Sequence, residues 1–136
     1  MSSPNVDQLS GDSPLFSGLS KKELKAVARL MTPLTVPQGT VLTREGDPGR
    51  EAMLISAGTA RVERDGENVA TLGPGELFGE LALLTGAPRT ATVTAETDVV
   101  VAALSRQEFA SLLDASPKVA QKILVGAVQR LRDNAA

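Results

Sequence analysis

Apolar residues recur at the spacing of a helix face near the start of the chain. The spacing i, i+3, i+4, i+7 is met by Leu24, Val27, Ala28 and Met31. Ser20 and Glu23 match a capping box, in which a hydroxyl and a carboxylate satisfy free N–H groups at a helix start. The pattern predicts a helix over Lys21–Leu30, and we expect Pro33 and Pro37 to end it.

From residue 35 to residue 104 the pattern changes to short β-prone runs separated by turns. The runs predict six strands, at residues 40–44, 52–56, 59–64, 69–72, 91–95 and 99–104. Turn signals with glycine lie at 46–49, 65–66 and 73–75. Asp65 and Gly66 predict a hairpin with a type I′ turn. Short strands at this spacing are typical of a small antiparallel sandwich or barrel.

The last third of the chain returns to helical signals. Ser105 and Glu108 form a second capping box. Ser116 and Pro117 then match a helix N-cap followed by proline at the first helical position, where its missing N–H costs nothing. We expect this final helix to run to about Arg132. The whole chain is therefore predicted to be mainly β with flanking α-helices.

The final helix carries a heptad-like apolar seam with spacings of 4, 3 and 4. Its members are Ala120, Leu124, Ala127 and Leu131. A wider apolar face adds Val119, Ile123 and Val128. Two interpretations stay open: the helix packs on its own barrel, or the seam joins two copies of the chain in a homodimer.

The composition removes several classes of chemistry. The chain of 136 residues has no Cys and no His. Disulfides, thiolate or imidazole metal sites, iron–sulfur clusters, haem on a proximal His and Ser–His–Asp triads are thereby excluded. We expect no metal site, no catalytic residues and no prosthetic group.

Charge and hydropathy bear on partners, location and domain limits. The net charge of −2 gives no basic surface for nucleic acid or anionic membrane, and no apolar run approaches membrane-spanning length. No signal peptide is visible, so we expect a cytoplasmic protein without nucleic acid or membrane partners. Residues 1–13 are small and polar and are predicted to be a flexible tail, followed by one domain over 14–136.

The stretch after residue 73 carries the candidate chemistry. Residues 79–84 fit one helical turn, at which the N–H groups of Leu81 and Ala82 would be free to hold an anion. Arg89 follows nine residues after Glu80 and offers a fork of donors suited to phosphate. Taken alone, the two residues are better explained as an ordinary surface ion pair between Glu80 and Arg89 than as a ligand site.

The whole string decides between these interpretations. Residues 78–93 read FGELALLTGAPRTATV, which resembles the phosphate-binding cassette of cyclic nucleotide-binding domains of the cAMP receptor protein and kinase regulatory-subunit type. The resemblance extends over about residues 15–132, including the turn at 46–49 and the strand end at 55–58. It implies an antiparallel, jelly-roll-like β-roll (a double-stranded β-helix) with one N-terminal and two C-terminal helices.

The resemblance also implies roles for the matching residues. Arg89 would pair with the cyclic phosphate, and Glu80 would accept from the ribose 2′-hydroxyl. The N–H groups of Leu81, Ala82 and Thr90 would complete the phosphate cradle. Gly79 would allow close approach to the sugar.

Recognition of the base is implied less directly. A hydroxyl residue at the position of Thr90 occurs in relatives that select cGMP and in relatives that bind cAMP, and we favour cAMP. Spacing from Arg89 makes Asn134, near the chain end, the candidate base contact. An asparagine amide could read adenine with one donor and one acceptor.

Three functions compete at this point. The first is a cyclic nucleotide sensor or regulatory module; since only 47 residues follow Arg89, we expect no DNA-binding domain within it. The second is an interaction or dimerisation module of the same fold, with little or no nucleotide binding and an unknown protein partner downstream. The third, a cupin-type enzyme, is disfavoured because cupin metal sites rely on histidine.

Overall fold

The computed structural model of the chain describes residues 16, 18–79 and 88–134, with the backbone alone described at 127 and 130–134. Three helices lie in this part of the chain: α1 (Lys21–Leu30), α2 (Arg106–Ala115) and α3 (Pro117–Asn134). The eight strands found there are β1 (Thr32–Val36), β2 (Val41–Thr43), β3 (Glu51–Ala57), β4 (Ala60–Arg64), β5 (Glu67–Leu72), β6 (Leu77–Phe78), β7 (Thr92–Ala95) and β8 (Val99–Ser105).

The strands form two four-stranded antiparallel sheets that pack face to face. One sheet has the order β1-β8-β3-β6 and the other β2-β7-β4-β5. Strands distant in sequence pair with each other, as in β3 and β8, where Glu51 lies opposite Ser105 and Ile55 opposite Val101. The predicted fold, a β-roll with one N-terminal and two C-terminal helices, is confirmed.

Strands β3 and β8 are buried on both faces because each lies between two apolar cores. One core lies between the two sheets and includes Met53, Ile55, Val99, Val101 and Ala103 together with β4, β6 and β7 residues. The other lies between the first sheet and the helices and includes Ala52, Leu54, Ala102 and Leu104. Successive side chains of a strand point to opposite faces, so an unbroken apolar run is needed to fill both cores.

The helices cover the outer face of the first sheet. Leu24 and Val27 of α1 and Val119 and Ile123 of α3 are buried in the same core as Phe109 of α2. Both predicted capping boxes are present: the hydroxyls of Ser20 and Ser105 accept from the N–H groups three residues later. The interpretation that α3 packs on its own barrel is therefore correct for the Val119 and Ile123 face.

Two strands were not predicted from the sequence. β1 contains Pro33, which we had expected only to stop α1; it is tolerated because β1 is an edge strand, where a ladder hydrogen bond can be absent. β6 has only two residues, Leu77 and Phe78, too few to show a period. The other strand bounds differ from prediction by one or two residues, and α3 ends at Asn134 rather than near Arg132.

The predicted hairpin between β4 and β5 is confirmed. Asp65 has a φ of +53° and Gly66 a φ of +80°. A type I′ turn requires positive φ at both central residues, and the right-handed twist of the flanking strands favours this turn. The turn places Arg64, the last residue of β4, at one end of the second sheet.

Candidate functional site

The main chain of Arg89 is held by the glycine-containing turn between β2 and β3. The Arg89 N–H donates to the Asp47 carbonyl over 2.8 Å, and the Gly46 N–H donates to the Arg89 carbonyl over 2.9 Å. Gly46 has a φ of +89°, which an L side chain rarely adopts. The turn that the sequence identified at 46–49 therefore fixes the backbone from which the Arg89 side chain starts.

The guanidinium of Arg89 is held by two main-chain carbonyls. Nη2 donates to the Glu51 carbonyl over 2.8 Å, and Nη1 lies 3.5 Å from the Gly79 carbonyl. Partial burial lowers the pKa of Arg89, and the negative charge of Glu51 acts in the opposite direction. No carboxylate among residues 16, 18–79 and 88–134 forms an ion pair with it. A half-buried cation whose hydrogen-bond acceptors are neutral carbonyls is a favourable place for an anion.

Gly79 lies directly against this guanidinium. Its φ is +76°, and a Cβ added there would overlap with Arg89 Nη1 and lie 3.0 Å from the Glu51 carbonyl oxygen. Both the backbone conformation and the space therefore require glycine. Any side chain at this position would push Arg89 out of its place.

A cavity of about 410 Å³ opens beside Gly79 and Arg89. Its apolar walls come from β4, β5, β6 and β7, namely Val62, Val69, Ala70, Leu72, Leu77, Phe78 and Val93. Its polar edge includes Arg64, Arg89 and Thr90. The volume lies within the roughly 300–1,000 Å³ typical of small-molecule sites. An apolar slot with a cationic edge suits a flat ring joined to an anionic group.

Not every apolar strand residue is fully buried. Leu54, Val62, Val93 and Val101 are buried, but Leu72 is only half-buried. The physical reason is its position, because Leu72 lines the cavity rather than the closed core between the sheets.

The structure brings together three of the residues that the sequence singled out. Gly79, Arg89 and Thr90 all line the cavity. Glu80, Leu81, Ala82 and the helical turn predicted over 79–84 lie, apart from Gly79, outside the described residues. Asn134 is the last residue of α3, and only its backbone is described.

Sequence reasoning missed the groups that orient Arg89. The carbonyls of Asp47 and Glu51 belong to the main chain, so they cannot be predicted from the type of residue at these positions. The one usable signal was the turn at 46–49. Arg64 was missed because only the pairing of β4 with β7 brings it next to Thr90, whose carbonyl accepts from Arg64 Nε over 3.2 Å.

Two kinds of feature are not found in the described part of the chain. Among the residues whose placement is described, no group of three or more Asp or Glu side chains is arranged to hold a metal ion. Across the same residues, no helix has the length and apolar character needed to cross a membrane.

Comparison with protein families gives a match that covers more than half of the chain. The family model described as "Cyclic nucleotide-binding domain" matches residues 33–116. The matched region begins in β1 and ends at the residue between α2 and α3. It includes Gly79, Arg89 and Thr90.

Curated relatives include a channel, a kinase subunit and a receptor protein. A cyclic nucleotide-gated potassium channel from Mesorhizobium japonicum is 37% identical over 90% of this chain and 34% of its own length. A cAMP-dependent protein kinase regulatory subunit from Yarrowia lipolytica is 42% identical over 74% of this chain and 27% of its own. The cyclic AMP receptor protein of Thermus thermophilus is 34% identical over 89% of this chain and 58% of its own length. The chain thus spans from about a quarter to somewhat over half of these proteins.

Solved structures agree in fold. The N-terminal domain of a transcriptional regulator from Streptomyces coelicolor A3(2) superimposes with a TM-score of 0.85 at 34% identity, covering 95% of this chain and 93% of that one. The regulatory domain of Toxoplasma gondii PKA, solved with cAMP, has a TM-score of 0.68 at 36% identity, covering 83% of this chain and 46% of that one.

Proposed function

The chain belongs to the cyclic nucleotide-binding domain family, and we propose that it binds cAMP in the cavity beside Arg89 and acts as a ligand-responsive regulatory module. The family is a regulatory binding domain rather than a catalytic one. The observation that carries the proposal is the half-buried Arg89 guanidinium at the edge of an apolar cavity, held only by neutral carbonyls among the described residues.

The charge of the ligand matches this arrangement. A cyclic phosphodiester carries one negative charge, so one guanidinium with oriented N–H groups is sufficient and no metal is required. Arg89 is already fixed at its main chain and at two of its donors, so little side-chain entropy remains to be lost on binding. By resemblance, Leu81, Ala82 and Thr90 supply further N–H donors.

The neutral part of the ligand matches the rest of the cavity. A purine ring is flat and largely apolar on its faces, and the cavity offers Val62, Leu72 and Phe78 as walls. By resemblance, Glu80 accepts from the ribose 2′-hydroxyl and Asn134 contacts the base. Together with Gly79, Leu81, Ala82, Arg89 and Thr90, these residues make up the proposed binding site.

The preference for cAMP over cGMP is also part of the proposal. It is supported by the kinase regulatory subunit and the receptor protein, which are named for cAMP, and by the Toxoplasma gondii domain solved with it. Thr90 is the residue through which cGMP would compete, because its hydroxyl could meet the guanine amino group.

A calorimetric titration with cAMP and with cGMP tests the proposal. We expect the parent protein to bind cAMP more tightly than cGMP. Arg89→Ala should weaken cAMP binding by roughly 30-fold to a few thousandfold, since one partner of a largely desolvated charge pair is lost. Arg29→Ala removes the same charge from an exposed position on α1 and should stay within about threefold of the parent. Equal affinities of the two variants would overturn the proposal.

A second candidate function is a protein-interaction or dimerisation module. Leu124, Val125 and Val128 on α3 are 60%, 61% and 50% exposed and surround a shallow cavity with Gln129. Of the predicted seam, Leu124 lies on this exposed face and Ala120 is half-buried, while the side chains of Ala127 and Leu131 are outside the described part. A contiguous exposed apolar patch favours a partner surface, and a second copy of the chain is the occupant we propose.

A further inference from the structure

Arg64 lies at the edge of the cavity and is not among the binding residues described so far. It is the last residue of β4 and lies two positions after Val62, which forms part of the apolar wall. Residues two apart on a strand point to the same face of the sheet, so the Arg64 side chain starts on the cavity side. It lines the cavity together with Arg89.

One N–H group of the Arg64 guanidinium forms a hydrogen bond with the segment that contains Arg89 and Thr90. Nε donates to the carbonyl of Thr90 over 3.2 Å. Thr90 follows Arg89 directly, and consecutive Cα atoms are about 3.8 Å apart. The guanidinium of Arg64 is therefore attached to the same short segment that carries the proposed phosphate-binding residue.

The two terminal nitrogens of Arg64 have no such hydrogen bond to the described residues. Within residues 16, 18–79 and 88–134, neither Nη atom of Arg64 forms a hydrogen bond or an ion pair. Arg89 differs, because both of its Nη atoms face main-chain carbonyls. The described lining of the cavity contains two guanidinium groups and no carboxylate. Two guanidinium groups at one edge of a cavity favour an anionic group in the molecule that occupies it.

We propose that Arg64 is a further ligand-binding residue, which holds the Thr90 carbonyl through Nε and donates through its Nη atoms to the phosphate of the bound cyclic nucleotide. The inference rests on the proposed function and adds a second cation to the site. A guanidinium can make both contacts because its donors form a rigid planar fork. A lysine ammonium at the same position has no fork and keeps the charge without the double contact.

The test compares Arg64→Met, Arg64→Lys and Arg61→Met by calorimetric titration with cAMP at low and high salt. Arg61 is the matched control, because it lies on the same strand, carries the same charge, pairs with Glu63 and does not line the cavity. We expect Arg64→Met to weaken binding roughly 10- to 100-fold, as for a lost hydrogen bond to a charged group. Arg61→Met should stay within about threefold of the parent.

Two further readouts separate a ligand contact from a merely structural role. The loss in Arg64→Met should shrink at high salt, since a charge contact at an open cavity is screened, and Arg64→Lys should recover part of the affinity. A loss in Arg64→Met that is independent of salt and equal in Arg64→Lys would assign Arg64 to positioning of Thr90 alone and overturn the proposal. Should Arg64→Met fail to fold, Arg64→Gln answers the same question.

Failure of this inference is distinguishable from failure of the proposed function. If Arg89→Ala loses cAMP and Arg64→Met binds like Arg61→Met, only the role of Arg64 is wrong. If the parent protein binds no cyclic nucleotide, the proposed function and the role of Arg64 are both wrong.

Discussion

Lys122 of α3 donates to Glu23 of α1 over a distance of 2.7 Å between Nζ and Oε1, although the two residues are 99 positions apart. The same Glu23 oxygen accepts from the Ser20 N–H over 2.8 Å, as part of the capping box of α1. The side chains are only 17% exposed for Glu23 and 31% for Lys122. One carboxylate therefore both caps the first helix and fastens it to the last.

This contact predicts a pH dependence of stability. The hydrogen bonds from Lys122 and from the Ser20 main chain lower the pKa of Glu23 from 4.5 to about 2. Because the folded-state pKa lies below the unfolded value, Glu23 stabilises the fold above pH 4.5 and loses this contribution as the pH falls towards 2. We expect Lys122→Met to show a smaller decrease in unfolding free energy across that interval than the parent.

Denaturant unfolding at several pH values measures this difference. Lys118→Met serves as the control, since Lys118 lies exposed on the same helix and has no ion pair within the described residues. Its pH profile should follow the parent. Parallel profiles for the parent and Lys122→Met would contradict the prediction.

Substitution of Gly79 should impair ligand binding more than folding. An alanine at a φ of +76° introduces backbone strain of order 1–3 kcal/mol and also displaces the Arg89 guanidinium. Gly39→Ala is the matched control, because Gly39 has a φ of +90° and nothing within 4 Å of an added Cβ. Both variants should lose thermal stability, and only Gly79→Ala should lose cAMP affinity. An unchanged cAMP affinity of Gly79→Ala in calorimetric titration would contradict this prediction.

Substitution on the exposed face of α3 should weaken self-association. Burial of a leucine side chain contributes about 1.5–3 kcal/mol, so Leu124→Glu should raise the dimer dissociation constant at least roughly tenfold. Sedimentation equilibrium measures the change. Leu34→Glu introduces the same charge at another exposed leucine, on β1, and should leave association unaltered. A parent that stays monomeric at high concentration would exclude a homodimer through this face.

Removal of the Thr90 hydroxyl should affect the two cyclic nucleotides unequally. If the hydroxyl meets the guanine amino group, Thr90→Ala loses one neutral hydrogen bond and weakens cGMP binding roughly 2- to 10-fold. The affinity for cAMP should change less, because its purine ring lacks that amino group. Competition titrations with both ligands measure the ratio, and an equal loss for both would place Thr90 at the phosphate alone.

The parts of the fold that the sequence predicted are those determined locally. Capping boxes at Ser20 and Ser105 and the Asp65 turn depend on residues three or fewer positions apart, and all are present. β1 escaped prediction because Pro33 is acceptable only at a sheet edge, which is a property of the pairing with β8. β6 escaped because its two residues gain their structure only from β3.

The same distinction between local and long-range determinants applies to the candidate site. Arg89 and Gly79 could be identified from residue type and motif, and the structure places them in contact. The carbonyl groups of Asp47 and Glu51 that orient Arg89 have no side-chain signature, and they reach it across 38 or more positions of sequence. The place of Arg64 beside Thr90 follows from strand register, which no local pattern specifies.

The double burial of β3 and β8 gives a simple guide for engineering the protein. On both strands the odd-numbered apolar residues, such as Met53 and Val101, belong to the core between the two sheets, and the even-numbered ones, such as Leu54 and Leu104, belong to the core between the first sheet and the helices. Substitution at even positions therefore changes packing contacts with the helices, because those side chains face the helices. Substitution at odd positions changes packing contacts between the two sheets. On β3 and β8, an odd or even residue number therefore indicates which of the two apolar cores a side chain belongs to.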